Sequence, residues 1–157
     1  MSEVKLSASE RVQERADMLE AIHNEVDTLL EIKSENLDSE ALQHVKIFSA
    51  IQRMYSREFK KLDRLTAAFE ITKNRLKKYY GGKASEEEYK AKPMRVSPLK
   101  SEIDEFVKVD EEYVLAKLEL QIQERIVKFL EESKKAISER TYTIKYAIDF
   151  RRMQQGS

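Results

Sequence analysis

Apolar side chains recur along most of this chain at steps of three and four, the period of an α-helix with one buried stripe. The first stripe runs Val12, Ala16, Leu19, Ile22, Val26, Leu29 and Leu30. Ser7 and Glu10 stand before it at capping-box spacing, where each side chain satisfies a free backbone N–H of the other residue. The pattern predicts a helix over about 8–34. It ends in the polar run Ser34-Glu-Asn-Leu-Asp-Ser, where Asp38 or Ser39 is suited to cap a second helix. That second helix is predicted over about 39–80. Val45, Phe48, Ile51, Tyr55, Phe59, Leu62, Leu65, Phe69, Leu76 and Tyr80 keep its rhythm. Gly81-Gly82 then stops it, because glycine accepts the left-handed conformation that a helix end requires.

Residues 81–102 hold both prolines, Pro93 and Pro98, and two of the three glycines. This break in the helical pattern divides the chain into an N-terminal region, 1–82, a linker, 83–101, and a C-terminal region, 102–157. Within the break, Ser85 with Glu88 is spaced to cap a short helical turn. A third helix is expected from about 102–110 to about 139, with Leu115, Leu118, Ile122, Ile126, Phe129, Leu130 and Ile137 as its stripe. From Thr141 to Phe150 the chain reads two ways: Tyr142, Ile144, Tyr146, Ile148 and Phe150 alternate like a strand, while Ile137, Ile144 and Ile148 keep helical steps. No second strand is available to pair with it, so helix is the expectation. The fold class is all-α, with long amphipathic helices in two helical halves.

Charged residues make up 37% of the 157 positions, against about 25% in ordinary domains, so the helices carry wide solvated faces. Helices of that kind have too few neighbours in a short chain to bury every stripe, which points to self-assembly. There is no cysteine, and therefore no disulfide framework or thiolate metal site. The segment Met1-Ser-Glu-Val-Lys-Leu-Ser lacks the apolar centre of a signal peptide, and no apolar run approaches ~18 residues. A cytoplasmic protein is expected.

Catalytic chemistry finds little to stand on. His23 and His44 have no second ligand at helical or turn spacing, so no metal is expected. A phosphate-binding glycine loop is missing, and the serines lack a histidine partner. The acidic runs at Glu86 and Asp110 read as solvated helix starts. A non-enzymatic protein without cofactors is the expectation.

Net charge is zero, but the charges are segregated. Residues 57–83 carry 9 basic and 3 acidic side chains, and residues 133–157 carry 6 and 2. The intervening blocks are acidic, with 6 and 11 over 1–56 and 8 and 13 over 84–132. Such blocks either pair with each other or present a field to a polyanion. On a helix Arg57, Lys60, Lys61 and Arg64 share a face, while Lys73, Arg75, Lys77, Lys78 and Lys83 crowd the helix end beside Tyr79 and Tyr80. Cations neutralise phosphates and aromatic rings stack on unpaired bases, so single-stranded nucleic acid fits this cluster. Two ordinary explanations compete with it, since cations favour helix C-termini and tyrosines ending an apolar stripe are commonly core. A helical scaffold whose charge blocks serve only subunit pairing is the alternative function.

Several stretches taken together resemble the UvsY family, the recombination mediators of T-even-like bacteriophages. They are Lys73-Asn-Arg75-Leu76 followed by Tyr79-Tyr80-Gly81-Gly82-Lys83, then Glu88-Tyr89-Lys90-Ala-Lys92-Pro93 and Leu99-Lys100-Ser101-Glu-Ile-Asp104. Further matches are Asp110-Glu-Glu-Tyr113, Lys128-Phe129-Leu130-Glu131-Glu132, and the run from Ile137 to Phe150. The resemblance covers the last 85 or so residues, and the first half only as a helical pattern. It implies sequence-independent binding of single-stranded DNA by a ring-like, heptameric homo-oligomer without catalytic activity. It also implies two protein partners, a phage recombinase and the phage single-strand binding protein that covers the strand. In the family, DNA contact is associated with the element falling here on Lys73 and Arg75. Two lysines separate Leu76 from Tyr79, one residue more than the family pattern, so the contact role falls on Lys73 and Arg75 alone or extends to Lys77 and Lys78. Self-assembly is implied for the C-terminal helix, here Ile126, Phe129, Ile137, Tyr142, Ile144, Ile148 and Phe150.

Overall fold

A computed structural model describes residues 6–156. The opening residues read above for a signal peptide lie mostly outside the described residues. The order of elements is α1 (Ala8–Leu30), a 3₁₀ turn (Ser34–Asn36), α2 (Leu37–Tyr80), α3 (Glu86–Ala91), α4 (Ile103–Val109) and α5 (Glu111–Gln155). No strand occurs among the described residues, and the fold is all-helical. Helix α5 runs unbroken through 141–150, the segment whose alternation also suggested a strand.

The helix ends follow from local chemistry. The backbone N–H of Ser7 donates to Glu10 Oε2 at 2.7 Å, and that of Glu10 donates to Ser7 Oγ at 3.3 Å, which closes the capping box of α1. Helix α2 begins at Leu37, earlier than its apolar rhythm indicates, so Asp38 and Glu40 serve as first-turn acids facing the positive helix end. At its other end Gly82 has φ +74°, and the N–H of Lys83 donates to the carbonyl of Lys78 at 2.8 Å. This is the left-handed stop that a side chain would strain. A Cβ on Gly81 would sit 3.0 Å from the Lys77 carbonyl oxygen, a tight contact, whereas the positive φ of Gly82 is what calls for glycine.

The chain groups into two compact units that interleave in sequence. One holds the residues up to Ala16 together with Lys61–Gln123; the other holds Asp17–Lys60 and everything from Glu124 onward. Residues 83–101, expected as a linker, lie inside the first unit.

In the first unit Leu76, Tyr79 and Val107 are buried. Burying side chains of this size contributes roughly 1.5–3 kcal/mol each. Arg11 Nε reaches Glu119 Oε2 at 3.3 Å, which ties the start of α1 to α5. Asp110 separates α4 from α5 where one helix was expected: its backbone is extended, and its Oδ1 accepts from the N–H of Glu112 at 2.9 Å. Asp110 is therefore the cap of α5 and is buried, not part of a solvated acidic run.

In the second unit the core includes Ile22, Ile51, Ile126, Leu130, Ile137 and Ile144. Helix α1 has no basic residue in its last turn. Arg140 of α5 supplies the missing donor: its Nε reaches the Leu30 carbonyl at 3.2 Å and its guanidinium reaches the Glu31 carbonyl at 3.2 Å. The same side chain pairs with Glu40 of α2, and both are buried. One guanidinium thus satisfies the carbonyls left over at a helix end and a buried carboxylate at once.

Candidate nucleic-acid interface

The basic segment lies on α2 and the turn after it. Successive solvent-facing positions are Arg64, Ala67, Ile71, Asn74 and Lys78, at steps of three and four, and every one of them is exposed. This line is about 21 Å long at ~1.5 Å per residue. Lys60 precedes Arg64 by one turn on the same helix and is also exposed, as is Lys83 just past the glycines. The side chains of Lys60, Arg64, Lys78 and Lys83 have no ion-pair partner among the described residues. Lys61 is half-buried.

The cations between these positions are part-exposed, and each is paired with an acid. Arg75 Nη1 meets Glu88 Oε1 of α3 at 2.6 Å, and its Nη2 pairs with Glu112 of α5. Lys77 Nζ meets Asp104 Oδ1 of α4 at 2.9 Å, and Lys73 Nζ lies 3.4 Å from Glu70. The hydrogen bond from Lys77 holds the Asp104 carboxyl below its ordinary range, and Asp104 in turn raises Lys77. Arg75 is raised, chiefly by its hydrogen bond to Glu112.

The tandem tyrosines do not stand ready to stack on bases. Tyr79 is 2% exposed, and its hydroxyl donates to the Lys92 carbonyl at 2.6 Å. Tyr89 donates its hydroxyl to the Tyr79 carbonyl at 2.6 Å. Tyr80 is half-buried and donates to Asp110 Oδ2 at 2.6 Å, beside Lys92 Nζ on the same oxygen at 2.6 Å. Burial, and then the bond to Asp110, pushes the Tyr80 phenol well above its ordinary range. Burial alone would raise Asp110, but the hydrogen bonds from Lys92 and Tyr80 outweigh it and hold the carboxyl low. These tyrosines clasp residues 83–110 onto the end of α2, a role in the core that their place at the end of an apolar stripe left open.

A family model described as recombination, repair and ssDNA binding protein UvsY matches residues 25–157. The chain belongs to the UvsY family. Its fold is that of solved UvsY crystal structures, those of the recombination mediator protein of bacteriophage T4. In lattice type II the TM-score is 0.75 at 22% identity, covering 87% of this chain and 96% of that one. In lattice type I the TM-score is 0.74 at 22% identity, with 85% and 98% covered. No curated protein sequence matches the chain.

Within this chain, the residues implied for self-assembly divide into covered and exposed ones. Ile126, Ile137 and Ile144 are at most 3% exposed, so they belong to the core of their own unit. Phe129 packs its ring 4.2 Å from that of His23, and Ile148 is half-buried. Tyr142 and Phe150 are over 60% exposed, and they share one face with the exposed Tyr146 and Met153. An apolar period shows that a face is covered; it does not show by which chain. His44 lies 2.9 Å from the Thr141 hydroxyl, so both histidines are engaged within the fold. Among the described residues no group of metal-ligating side chains occurs, and no helix is long and apolar enough to cross a membrane. Periodicity and spacing missed Lys92, Asp110 and Arg140, because each acts through a partner far away in sequence.

Proposed function

We propose that this chain is a single-stranded DNA-binding mediator that helps a recombinase load onto strands covered by single-strand binding protein. One observation carries the reading: a member of a DNA-binding family presents Arg64 and Lys78, unpaired and exposed, along the solvent face of α2. Phosphates are held mainly by Lys60, Arg64, Lys78 and Lys83, with Lys61, Lys73, Arg75 and Lys77 beside them. Tyr79 and Tyr80 support this surface from beneath. The short Ala67 and Asn74 side chains between the cations leave the backbone of a strand room to approach.

The protein works as a ring-like homo-oligomer, a heptamer by the family resemblance. Tyr142, Tyr146, Phe150 and Met153 form its assembly face, because an exposed apolar stripe of this length marks a contact surface. A ring repeats one modest basic line around its circumference, so weak sites gain from effective concentration. Holding the strand in a shape that favours recombinase over the covering protein shifts the competition, which requires different affinities for the two strand states.

Binding of a labelled oligonucleotide tests this reading. Affinity should fall linearly with salt on logarithmic axes, with a slope of about −0.7 per phosphate contact. The double variant Arg64→Glu, Lys78→Glu should bind at least about tenfold more weakly, from the loss of two phosphate contacts and the added repulsion. Its assembly mass should not change. Binding that ignores salt, or that survives this charge reversal, would favour the scaffold alternative.

A further inference from the structure

The paired cations raise a separate question, since each already holds an acid. Arg75 is met by Glu88 and Glu112, Lys77 by Asp104, and these acids come one each from α3, α5 and α4. Three separate elements thus deliver a carboxylate to the same short stretch of α2. The pairs are not sealed: the side chains of Arg75 and Lys77 remain 40% and 42% exposed, and those of Asp104 and Glu112 are 64% and 47% exposed.

We propose that Glu88, Asp104 and Glu112 occupy the places of DNA phosphates on Arg75 and Lys77 and so set the strength and salt response of strand binding. The proposal rests on the single-stranded DNA reading above. A carboxylate oxygen at hydrogen-bond distance from a guanidinium or ammonium makes the same charge-assisted bond that a phosphate oxygen makes. Ion pairs this exposed are worth only about 0–1 kcal/mol, so a phosphate can exchange with the acid. Arg75 spends one terminal nitrogen on each of two carboxylates, so a phosphate that takes the end-on fork of the guanidinium displaces at least one acid.

Two consequences follow for binding. The displaced acids lie close to the strand and repel it, which weakens affinity. A cation already neutralised by a carboxylate also alters the counterion balance, because each acid set free gathers ions of its own as the strand sheds them. The salt slope of the natural protein is therefore shallower than its number of phosphate contacts alone would give. A protein that must pass a strand to a partner is served by a hold of this kind.

A simple tether is the competing explanation, in which the acids only pin α3, α4 and α5 to α2. The two differ in sign: a tether predicts lower stability and no gain in affinity when the acids are neutralised. Wild type, Asp104→Asn, Glu112→Gln and the Glu88→Gln, Glu112→Gln double variant should be titrated with labelled oligothymidylate over a range of salt. Glu87→Gln serves as control, because it removes the same charge from an exposed position of α3 with no ion-pair partner among the described residues.

Each neutralised acid should tighten binding about twofold to fivefold, the range set by exposed ion pairs. The slope should steepen with it, and the control should change affinity by less than about twofold. Helical content and assembly mass should match wild type. If the double variant loosens the fold, Asp104→Asn decides alone, since both members of its pair are well exposed. Unchanged affinity and slope in a wild type that does bind, or an equal gain in the control, would overturn this inference only. Failure of wild type and all variants to bind at any salt would overturn the DNA reading as well.

Discussion

Each compact unit holds a knot of polar groups, and the two knots differ in their access to water. In the first unit, Tyr80 and Lys92 converge on Asp110, whose side chain is 3% exposed, while that of Lys92 is 53% exposed. In the second, Arg140 and Glu40 are both shut in, at 3% and 9%. The chemistry is alike, a cation on a carboxylate with helix-end groups satisfied alongside. The energetic consequences are not, because a group that keeps its water has an alternative partner and a dry one has none.

The largest expected effect follows from that contrast. Arg140→Met leaves the Glu40 charge uncompensated and the Leu30 and Glu31 carbonyls without their donor. The loss should be about 3–5 kcal/mol, read as a lowered urea midpoint. Lys92→Met removes a cation from the other knot, but Asp110 keeps Tyr80 and the Glu112 N–H, so the loss should be about 1–2 kcal/mol. Equal losses in the two variants would break the comparison. Replacing Arg140 and Glu40 together by Met and Leu sharpens it: most of the single-variant loss should return, since well-packed apolar groups substitute for buried ion pairs at little cost.

A smaller effect is expected for Tyr80→Phe. It deletes one hydrogen bond to an ionised acceptor, while Asp110 keeps Lys92 and the Glu112 N–H. The expected loss is about 1–2 kcal/mol in the same urea measurement. A loss as large as that of Arg140→Met would mean that Tyr80, not Lys92, holds the clasp.

The difference between the knots also explains what could be read from the sequence. Helix spans came from periodicity and caps, which are local: the Ser7 box, the glycine stop at Gly82 and the continuous helix through Tyr146 all obey steps of three or four. The helix start at Asp110 was legible but its burial was not, because an Asp-Glu-Glu run looks the same whether its first member is a solvated acid or a buried cap. The stretch 83–101 looked like a linker because its anchors, Tyr79, Tyr89 and Lys92, bond across separations that no short period records. Ile126, Ile137 and Ile144 were expected at a subunit contact and are instead buried within their own unit, because an apolar period does not tell which chain covers it. The cations could be counted; which were spent on Glu88, Asp104 and Glu112 could not.

The smallest expected effects lie in the response to pH, and they isolate the Tyr80–Asp110 bond from either side. The bond needs an ionised carboxylate and a neutral phenol. The folded state holds Asp110 below its ordinary 3.8, so this group's contribution is present at neutral pH and is lost as pH falls through that lowered value. Tyr80 is held above its ordinary 10.0, so its contribution is present up to that pH and is lost as pH rises through the raised value. Urea midpoints of wild type should therefore decline at both ends of the range. The difference between wild type and Asp110→Asn should shrink on the acid side, and that between wild type and Tyr80→Phe on the alkaline side. Subtracting variant from wild type removes the common titration of the other carboxylates and tyrosines. A difference that stays constant with pH in both variants would show that shape alone, without the charge on Asp110, holds residues 83–110 to the end of α2.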